Sequence, residues 1–138
     1  MALSGDLGSG KTVFTKGIAL GLGVKDDITS PTFVVIKQYK IDISQISPVS
    51  ADGQAEVGNL KSQSCGRGPC FLFHIDCYRI TDVKDAESIG LREYLDIKDN
   101  ILIIEWAENI ESLLPKSTKF IRFENLGQNK RRITATRD

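Results

Sequence analysis

The sequence predicts an α/β domain of three layers, in which helices cover both faces of a mixed, partly parallel central sheet that ends in a late antiparallel strand pair. Three observations predict this class. A glycine-rich loop at residues 5–12 leads directly into a segment with helical periodicity. The apolar run at 101–104 is typical of a strand buried on both faces, as in parallel sheets. Two alternating segments, 119–124 and 132–137, flank Gly127 and indicate the antiparallel pair.

The remaining elements follow from local patterns along the chain. Residues 1–4 are an apolar lead-in typical of the end of a strand, and the helix that begins at Lys11 should stop near Gly21 and Gly23. Pro115 should end a later short helix. Beyond the first helix, we expect strands at 32–39 and 71–78 and helices at 83–95, interrupted at Gly90, and at 108–114.

The whole chain, residues 1–138, is expected to form a single domain with one insertion. Residues 43–69 are rich in Ser, Gln, Gly and Asn and lack sustained periodicity, so they predict a flexible insertion between two strands. The lead-in of residues 1–4 is shorter than a usual central strand of about five or six residues. We therefore expect that most of the first strand is missing, through a truncation or a misassigned start.

The composition is that of an ordinary globular protein and argues against several classes of partner. Hydrophobic residues make up 41% and charged residues 26%, and 18 basic residues balance 18 acidic ones. A dedicated nucleic-acid binder is usually basic overall, so any RNA should be handled through a partner or a local patch. No apolar run reaches about 18 residues, so no membrane span is expected. Cys65, Cys70 and Cys77 form no paired C-x-x-C motif, which favours free thiols and a cytoplasmic protein, and pairing of Cys65 with Cys70 under oxidation is the alternative.

The loop at 5–12 spells G-x-x-x-x-G-K-T, the phosphate-binding loop of a P-loop NTPase-like domain. Glycines allow successive backbone N–H groups to face a bound anion, and the following helix adds its positive N-terminal end. Lys11 brings a charge to the β- and γ-phosphates, and Thr12 offers a hydroxyl to Mg²⁺. The alternative is a glycine-rich turn before a helix. The predicted nucleotide-binding residues are Asp6, Leu7, Gly8, Ser9, Gly10, Lys11, Thr12, Val13 and Trp106.

Hydrolysis also needs carboxylates for the metal and for water, and two candidates stand out. Glu105 ends the apolar run 101–104, where ligand-facing residues of an α/β sheet lie. In the strand 71–78, His74, Asp76 and Tyr78 should project to one face, which makes Asp76 the second carboxylate candidate and His74 a candidate contact near the phosphates or metal. The alternatives are a solvated carboxylate for Glu105, a structural hydrogen-bond partner for Asp76 and a strand histidine for His74. The neighbouring aromatic residue, Trp106, could line the site or fill core.

A hydroxyl-rich segment at 29–32 follows the first helix, where nucleotide switches place a loop that senses the γ-phosphate. A hydroxyl in this segment, with Thr32 as the candidate, could reach Mg²⁺ or the attacking water. An ordinary hydroxyl-rich turn is the alternative.

Taken together, the motifs resemble the TsaE family, the ATPases of bacterial tRNA threonylcarbamoyladenosine biosynthesis. The matching stretches are SGDLGSGKTVFTKGIALGLG, ITSPTF, HIDCYRI and ILIIEWAENIESLLP, in this order. They run over nearly the whole chain except the segment 43–69. The last three are much more specific than the phosphate loop alone.

The resemblance implies ATP and Mg²⁺ as cofactors and slow ATP hydrolysis. It implies that Lys11 and Thr12 hold phosphate and metal, that Thr32 belongs to the switch-like segment, and that Asp76 and Glu105 surround Mg²⁺ and the catalytic water. The metal ligands would be Thr12 and Glu105, and Trp106 would line the site. The implied partner is the TsaB–TsaD complex, with tRNA contacted indirectly through that complex.

Two departures from the family pattern affect these expectations. The family carries a helix and a full first strand before the phosphate loop, whereas this sequence starts inside that strand, which bears on adenine contacts and stability. The insertion 43–69 stands in place of a short hairpin turn, so a partner surface there is expected to differ.

Three other functions are compatible with a phosphate loop. A small-molecule kinase needs an acceptor pocket and usually a basic lid, and the long segment 43–69 carries only Lys61 and Arg67. A GTPase typically uses an N-K-x-D motif, but Arg132 occupies the Asp position after Asn129. A nucleotide-gated binding module without turnover is the third alternative.

Overall fold

A computed structural model describes residues 1–31, 35–42, 70–97 and 100–136, which form six strands, three α-helices and one 3₁₀ helix. Thr32 and the predicted insertion 43–69 lie outside the described residues. In chain order the elements are β1 (Ala2–Gly5), α1 (Lys11–Gly21), β2 (Ile36–Lys40), β3 (Phe71–Asp76), α2 (Val83–Ser88), α3 (Leu91–Leu95), β4 (Ile101–Glu105), the 3₁₀ helix (Ala107–Leu113), β5 (Phe120–Asn125) and β6 (Arg131–Ala135).

The strands form one mixed sheet in the order β2-β3-β4-β1-β5-β6. The central strands β3, β4, β1 and β5 are parallel. The predicted late antiparallel pair is β5–β6, and a second antiparallel pair, β2–β3, forms at the opposite edge. Because β1, β3 and β4 run in the same direction, their carboxyl ends meet at one edge of the sheet. Gly5, Asp76 and Glu105 are the last residues of these strands.

The sheet separates two hydrophobic cores, which confirms the predicted three layers. Leu3 and Ile103 pack into a core with residues of α1, while Ala2 and Ile104 pack into a core with residues of α2, α3 and the 3₁₀ helix. Neighbouring residues of a strand point to opposite faces, so these pairs place the helices on both sides of the sheet. Strands β1 and β4 are therefore buried on both faces, as the apolar run 101–104 predicts for β4.

Several element boundaries differ from the sequence prediction. The strand predicted at 71–78 ends at Asp76, so Tyr78 lies in a turn and is exposed rather than sharing a strand face with His74. Glu105 O accepts a hydrogen bond from the backbone N–H of Cys77 at 3.0 Å, just past the strand end. The helix predicted at 108–114 is the 3₁₀ helix, and its first residue follows Trp106, which has a positive φ of 57°.

Two further predictions concern Gly90 and the cysteines. Gly90 divides the predicted helix 83–95 into α2 and α3 with a φ of 71°, which confirms the interruption. Cys77 is a free, buried thiol as expected. Cys70 is disulfide-bonded, so the prediction of a free thiol there is wrong, because an odd count of cysteines still permits one bridge. Cys65 lies outside the described residues.

Gly5 ends β1 at a point where no larger residue fits. Its φ is 130°, and a Cβ built there would lie 2.2 Å from the carbonyl oxygen of Phe123 on β5. Both the backbone conformation and the close approach require glycine. Gly5 therefore lets the chain leave β1 and enter the phosphate loop tightly against the sheet.

Within the described segments, no helix combines the length and the apolar content needed to cross a lipid bilayer.

Candidate nucleotide-binding site

A pocket of about 300 Å³ lies at the carboxyl ends of the central strands, between the phosphate loop and the ends of β3 and β4. It brings together most of the residues predicted from the sequence. Asp6 does not line it, since its side chain is exposed and its carbonyl faces Lys11. The lining residues are Leu7, Gly8, Ser9, Gly10, Lys11, Thr12, Val13, Ser30, Asp76, Tyr78, Glu105 and Trp106.

Lys11 is the buried cation of this pocket, with 5% of its surface exposed. Its Nζ donates to the carbonyl oxygens of Gly5 at 2.5 Å and Asp6 at 3.0 Å, and lies 4.0 Å from the centre of the Trp106 ring. Burial lowers the pKa of Lys11, while the negative charges of Glu105 and other nearby carboxylates oppose this shift. The ammonium is thus held by carbonyl dipoles and an aromatic face, which the full charge of a phosphate can outcompete.

Glu105 connects the phosphate loop to the end of β4. Its Oε2 accepts a hydrogen bond from Thr12 Oγ1 at 3.1 Å, across 93 residues of sequence. Its Oε1 lies 2.7 Å from His74 Nε2. Glu105 is 3% exposed and His74 is 0% exposed, so the solvated alternative for Glu105 is wrong. The carboxylate is therefore oriented from two sides before any ligand arrives.

Asp76 lies directly beside Glu105, since the two residues are register partners in the parallel β3–β4 pair. It is buried, and it lines the same pocket. Its Oδ2 accepts from Ser30 Oγ at 3.0 Å and its Oδ1 accepts from the backbone N–H of Tyr78 at 2.9 Å. Two carboxylates thus face one pocket from neighbouring strand ends.

The structure adds Ser30 and Tyr78 to the residues predicted from the sequence. Ser30 is a hydroxyl of the segment 29–32 that reaches Asp76, whereas the specific candidate Thr32 lies outside the described residues. The hydroxyl-rich pattern was the available signal for Ser30. Tyr78 packs its ring 5.1 Å from that of Trp106, a contact that no local pattern specifies.

Trp106 satisfies both interpretations that its sequence position allowed. It packs partly against the core on the side of α2 and α3, and it also lines the pocket. Its positive φ turns the chain sharply after Glu105 and brings the ring over Lys11.

A divalent cation would have to share its ligands with a bound nucleotide. Among the described residues, no group of three or more His, Cys, Asp or Glu side chains could hold a metal ion by itself. Thr12 and Glu105 nevertheless present two oxygens 3.1 Å apart in the pocket. Mg²⁺ prefers oxygen ligands and is commonly bound through one or two protein groups together with phosphates and water. The residues present fit that mode of binding.

Comparison with known proteins relates the whole fold to one family. The family model of the threonylcarbamoyl adenosine biosynthesis protein TsaE matches residues 1–50 and 61–133. The internal gap in this match, residues 51–60, lies within the segment 43–69, where the sequence predicts an insertion, and the match stops five residues before the last residue, Asp138.

Individual relatives agree with this match. The chain is 36% identical to the tRNA threonylcarbamoyladenosine biosynthesis protein TsaE of Bacillus subtilis over 99% of its own length and 68% of that protein. It is 33% identical to the TsaE protein of Treponema pallidum, over 97% of this chain and 78% of the relative. The crystal structure of Bacillus subtilis YdiB superposes with a TM-score of 0.61 at 32% identity, covering 97% of this chain and 64% of YdiB. The chain belongs to the TsaE family.

Proposed function

We propose that this protein binds ATP and Mg²⁺ in the phosphate-loop pocket and hydrolyses ATP as the ATPase of tRNA N6-threonylcarbamoyladenosine modification. One observation carries the proposal. Lys11, Thr12 and Glu105 meet in a single pocket, with the loop hydroxyl hydrogen-bonded to the carboxylate at the end of β4. A phosphate loop joined to such a carboxylate is the arrangement that binds a nucleoside triphosphate with its metal.

The phosphate chain would be held by the loop and the start of α1. The α1 helix begins at Lys11, directly after Gly10, whose φ of 108° turns the chain into the helix. The backbone N–H groups of this first turn and the helix dipole favour a bound anion. Lys11 would exchange its carbonyl partners for phosphate oxygens, which compensates better for burial of its charge than neutral dipoles do.

Thr12 and Glu105 are the residues that would hold Mg²⁺. When bound, Mg²⁺ would neutralise the negative charge that builds up on the phosphate oxygens during transfer. Thr12 lies in the first turn of α1 and Glu105 at the end of β4, so their side chains are anchored by separate rigid elements. Their hydrogen bond keeps the two oxygens close to each other.

Asp76 is proposed to orient the attacking water. It faces the same pocket from the strand beside Glu105. Ser30 and the backbone N–H of Tyr78 fix the plane of its carboxylate. Each carboxylate oxygen can accept more than one hydrogen bond, so a fixed Asp76 can still accept one from water. Positioning is the main task of a protein in phosphoryl transfer, and this carboxylate is well fixed.

The partner is proposed to be the TsaB–TsaD complex, with tRNA reached through that complex, in the cytoplasm where tRNA is modified. Family membership supports the pathway. Zero net charge supports an indirect contact with tRNA, because a protein that binds RNA by itself is usually basic. ATP hydrolysis would then drive a conformational cycle in the protein partner.

The test is phosphate release from ATP by the purified chain, alone and then with the TsaB–TsaD complex and tRNA. We expect slow, Mg²⁺-dependent release that rises when the partners are added. Binding of ATP without release under any of these conditions would instead support a nucleotide-gated module. Transfer of the phosphate to an added small-molecule acceptor would support a kinase.

A further inference from the structure

His74 is a buried titratable side chain that the proposed hydrolysis does not use directly. It lies in the middle of β3, with its side chain fully excluded from solvent. Its register partner on β4 is Ile103, and the residue two positions before it is the buried Leu72. An apolar residue would suit this position in the sheet, because burying a polar ring costs free energy unless its nitrogen atoms are satisfied.

Among the residues that the structure describes, the His74 ring makes one close polar contact, and that contact is to Glu105. His74 Nε2 lies 2.7 Å from Glu105 Oε1. An ionised carboxylate can only accept, so Nε2 carries the hydrogen and donates. Nδ1 is buried without a hydrogen-bond partner in the described part of the chain. Placing the hydrogen on Nε2 therefore pairs the N–H group that faces Glu105.

We propose that His74 is a positioning residue for Glu105, a role that rests on the proposed function of the pocket. The Nε2–H group holds Oε1, which fixes the rotation of the carboxylate and keeps Oε2 directed to Thr12. Glu105 thus offers a single, defined oxygen to a divalent cation. Groups that orient a metal ligand in this way typically contribute 10- to 100-fold to metal affinity or activity.

Substitutions of His74 test this role by changing whether the side chain can donate a hydrogen bond and where its N–H group lies. His74→Leu fills the space and donates nothing. His74→Gln places an amide N–H close to the position of Nε2, whereas the shorter side chain of His74→Asn places it close to Nδ1. If the contact to Glu105 is what matters, the Gln variant should resemble the wild type and the Asn variant should resemble the Leu variant.

The readout is the Mg²⁺ concentration needed for half-maximal Mg²⁺-dependent binding of ADP. Binding can be followed by the emission of Trp106, the single tryptophan of the chain, and independently by calorimetry. We expect His74→Leu and His74→Asn to raise this concentration at least about tenfold and His74→Gln to change it less than about threefold. ADP binding without Mg²⁺, which depends on Lys11 and the loop, should change less than about threefold in all three variants.

Leu72→Val is the matched control, because Leu72 is a buried residue of the same strand and the same side as His74. It should lower the free energy of unfolding without changing the requirement for Mg²⁺. A normal requirement in His74→Leu, or an equal increase in Leu72→Val, would overturn the proposal and leave His74 a structural residue. Should His74→Leu fail to fold, equal Mg²⁺ requirements in the Gln and Asn variants would overturn it instead.

Failure of the proposed function has a different signature. If the wild-type protein binds no ADP with or without Mg²⁺, both the pocket's function and the role of His74 are rejected. If the wild type shows Mg²⁺-dependent binding and the His74 variants do too, with unchanged Mg²⁺ requirements, only the role of His74 is rejected.

Discussion

Strands β3 and β4 at the centre of the sheet and strand β6 at its edge both carry charged or polar side chains, but only the central ones are buried. His74, Asp76 and Glu105 are each at most 3% exposed. Every residue of β6 is exposed, and Arg132 on that strand lies 3.7 Å from Glu124 of β5. Charged side chains therefore occur in two very different environments of one sheet.

The difference in burial sets how much free energy each charged side chain loses when the protein folds. A charge at a solvated edge loses little hydration, and an exposed ion pair contributes about 0–1 kcal/mol. A charge inside the sheet loses its hydration and persists only when it is paired or hydrogen-bonded. Buried titratable groups that converge on a pocket are therefore candidates for function. The central cluster meets this description and the edge does not.

The largest expected effect comes from removing the cation of the central pocket. Lys11→Ala should weaken ADP binding at least about 100-fold, because Lys11 is the buried positive charge of the pocket and is proposed to hold the phosphates. Arg132→Ala removes a positive charge from the edge and should change the affinity less than about twofold. Isothermal titration calorimetry with ADP measures both. Equal losses in the two variants would show that the pocket binds through general charge alone.

The interior and the edge of the sheet should also differ in how much stability is lost when a glycine is replaced by alanine. Gly5→Ala should lower the free energy of unfolding by about 3 kcal/mol or more, since its Cβ would lie 2.2 Å from the Phe123 carbonyl and its φ is 130°. Gly127, in the β5–β6 turn, has a φ of 76° and open space around it. Gly127→Ala should therefore cost about 1 kcal/mol, from backbone strain alone. Urea unfolding of both variants checks the ratio, and a Gly5→Ala protein as stable as Gly127→Ala would contradict the close approach.

The burial of Cys77 can be tested through the pH dependence of the free energy of unfolding. Burial, together with the negative charge of Asp76, raises the pKa of Cys77 from 9.0 to about 12. The unfolded chain releases this proton near pH 9 and the folded chain does not, so stability is lost as pH rises from about 9 to about 12. At pH 10 the loss should be about 1 kcal/mol relative to pH 8.

The matched variant Cys77→Ala isolates this contribution from those of other titrating groups. Urea unfolding at pH 8 and pH 10 should show a steeper loss in the wild type than in the variant. Identical pH dependence in the two proteins would mean that the Cys77 thiol ionises normally in the folded state.

The smallest expected effect belongs to the edge pair. Arg132→Ala should change the free energy of unfolding by less than about 0.5 kcal/mol, because Arg132 is well exposed, Glu124 is partly exposed, and water replaces the contact. Thermal unfolding in low and high salt is the measurement. A salt-dependent loss above about 1 kcal/mol would place β6 among the structurally important parts of the sheet.

Local patterns were sufficient for most of the fold because they depend on near neighbours in sequence. The loop between β1 and α1 and the start of α1 at Lys11 are confirmed as elements of the fold, as are the buried strand that ends at Glu105 and the antiparallel pair around Gly127. The β2–β3 pair was not specified, because its partners are separated by a long segment and pairing across such a distance leaves no local signal.

The site was predicted as a set of residues but not as a network. Glu105 was recognised from its position at the end of an apolar run and Asp76 from its place on one face of the predicted strand 71–78, and the structure makes them register partners. The contact between Glu105 and His74 depends on the parallel register of β3 and β4, and the contact between Ser30 and Asp76 depends on the path of a loop. Neither follows from sequence spacing. The predicted role of Thr32 stays a prediction, since this residue lies outside the described segments.

The most direct test of the account is phosphate release from ATP by the wild type, Glu105→Gln and Glu124→Gln, at saturating ATP and Mg²⁺. Glu105→Gln removes the buried carboxylate beside Thr12, and Glu124→Gln removes an acidic side chain on β5 next to the exposed edge. We predict that Glu105→Gln lowers the turnover rate at least about 100-fold, as loss of a group that stabilises transferred charge does, while Glu124→Gln keeps the wild-type rate. Wild-type turnover in Glu105→Gln would contradict the account.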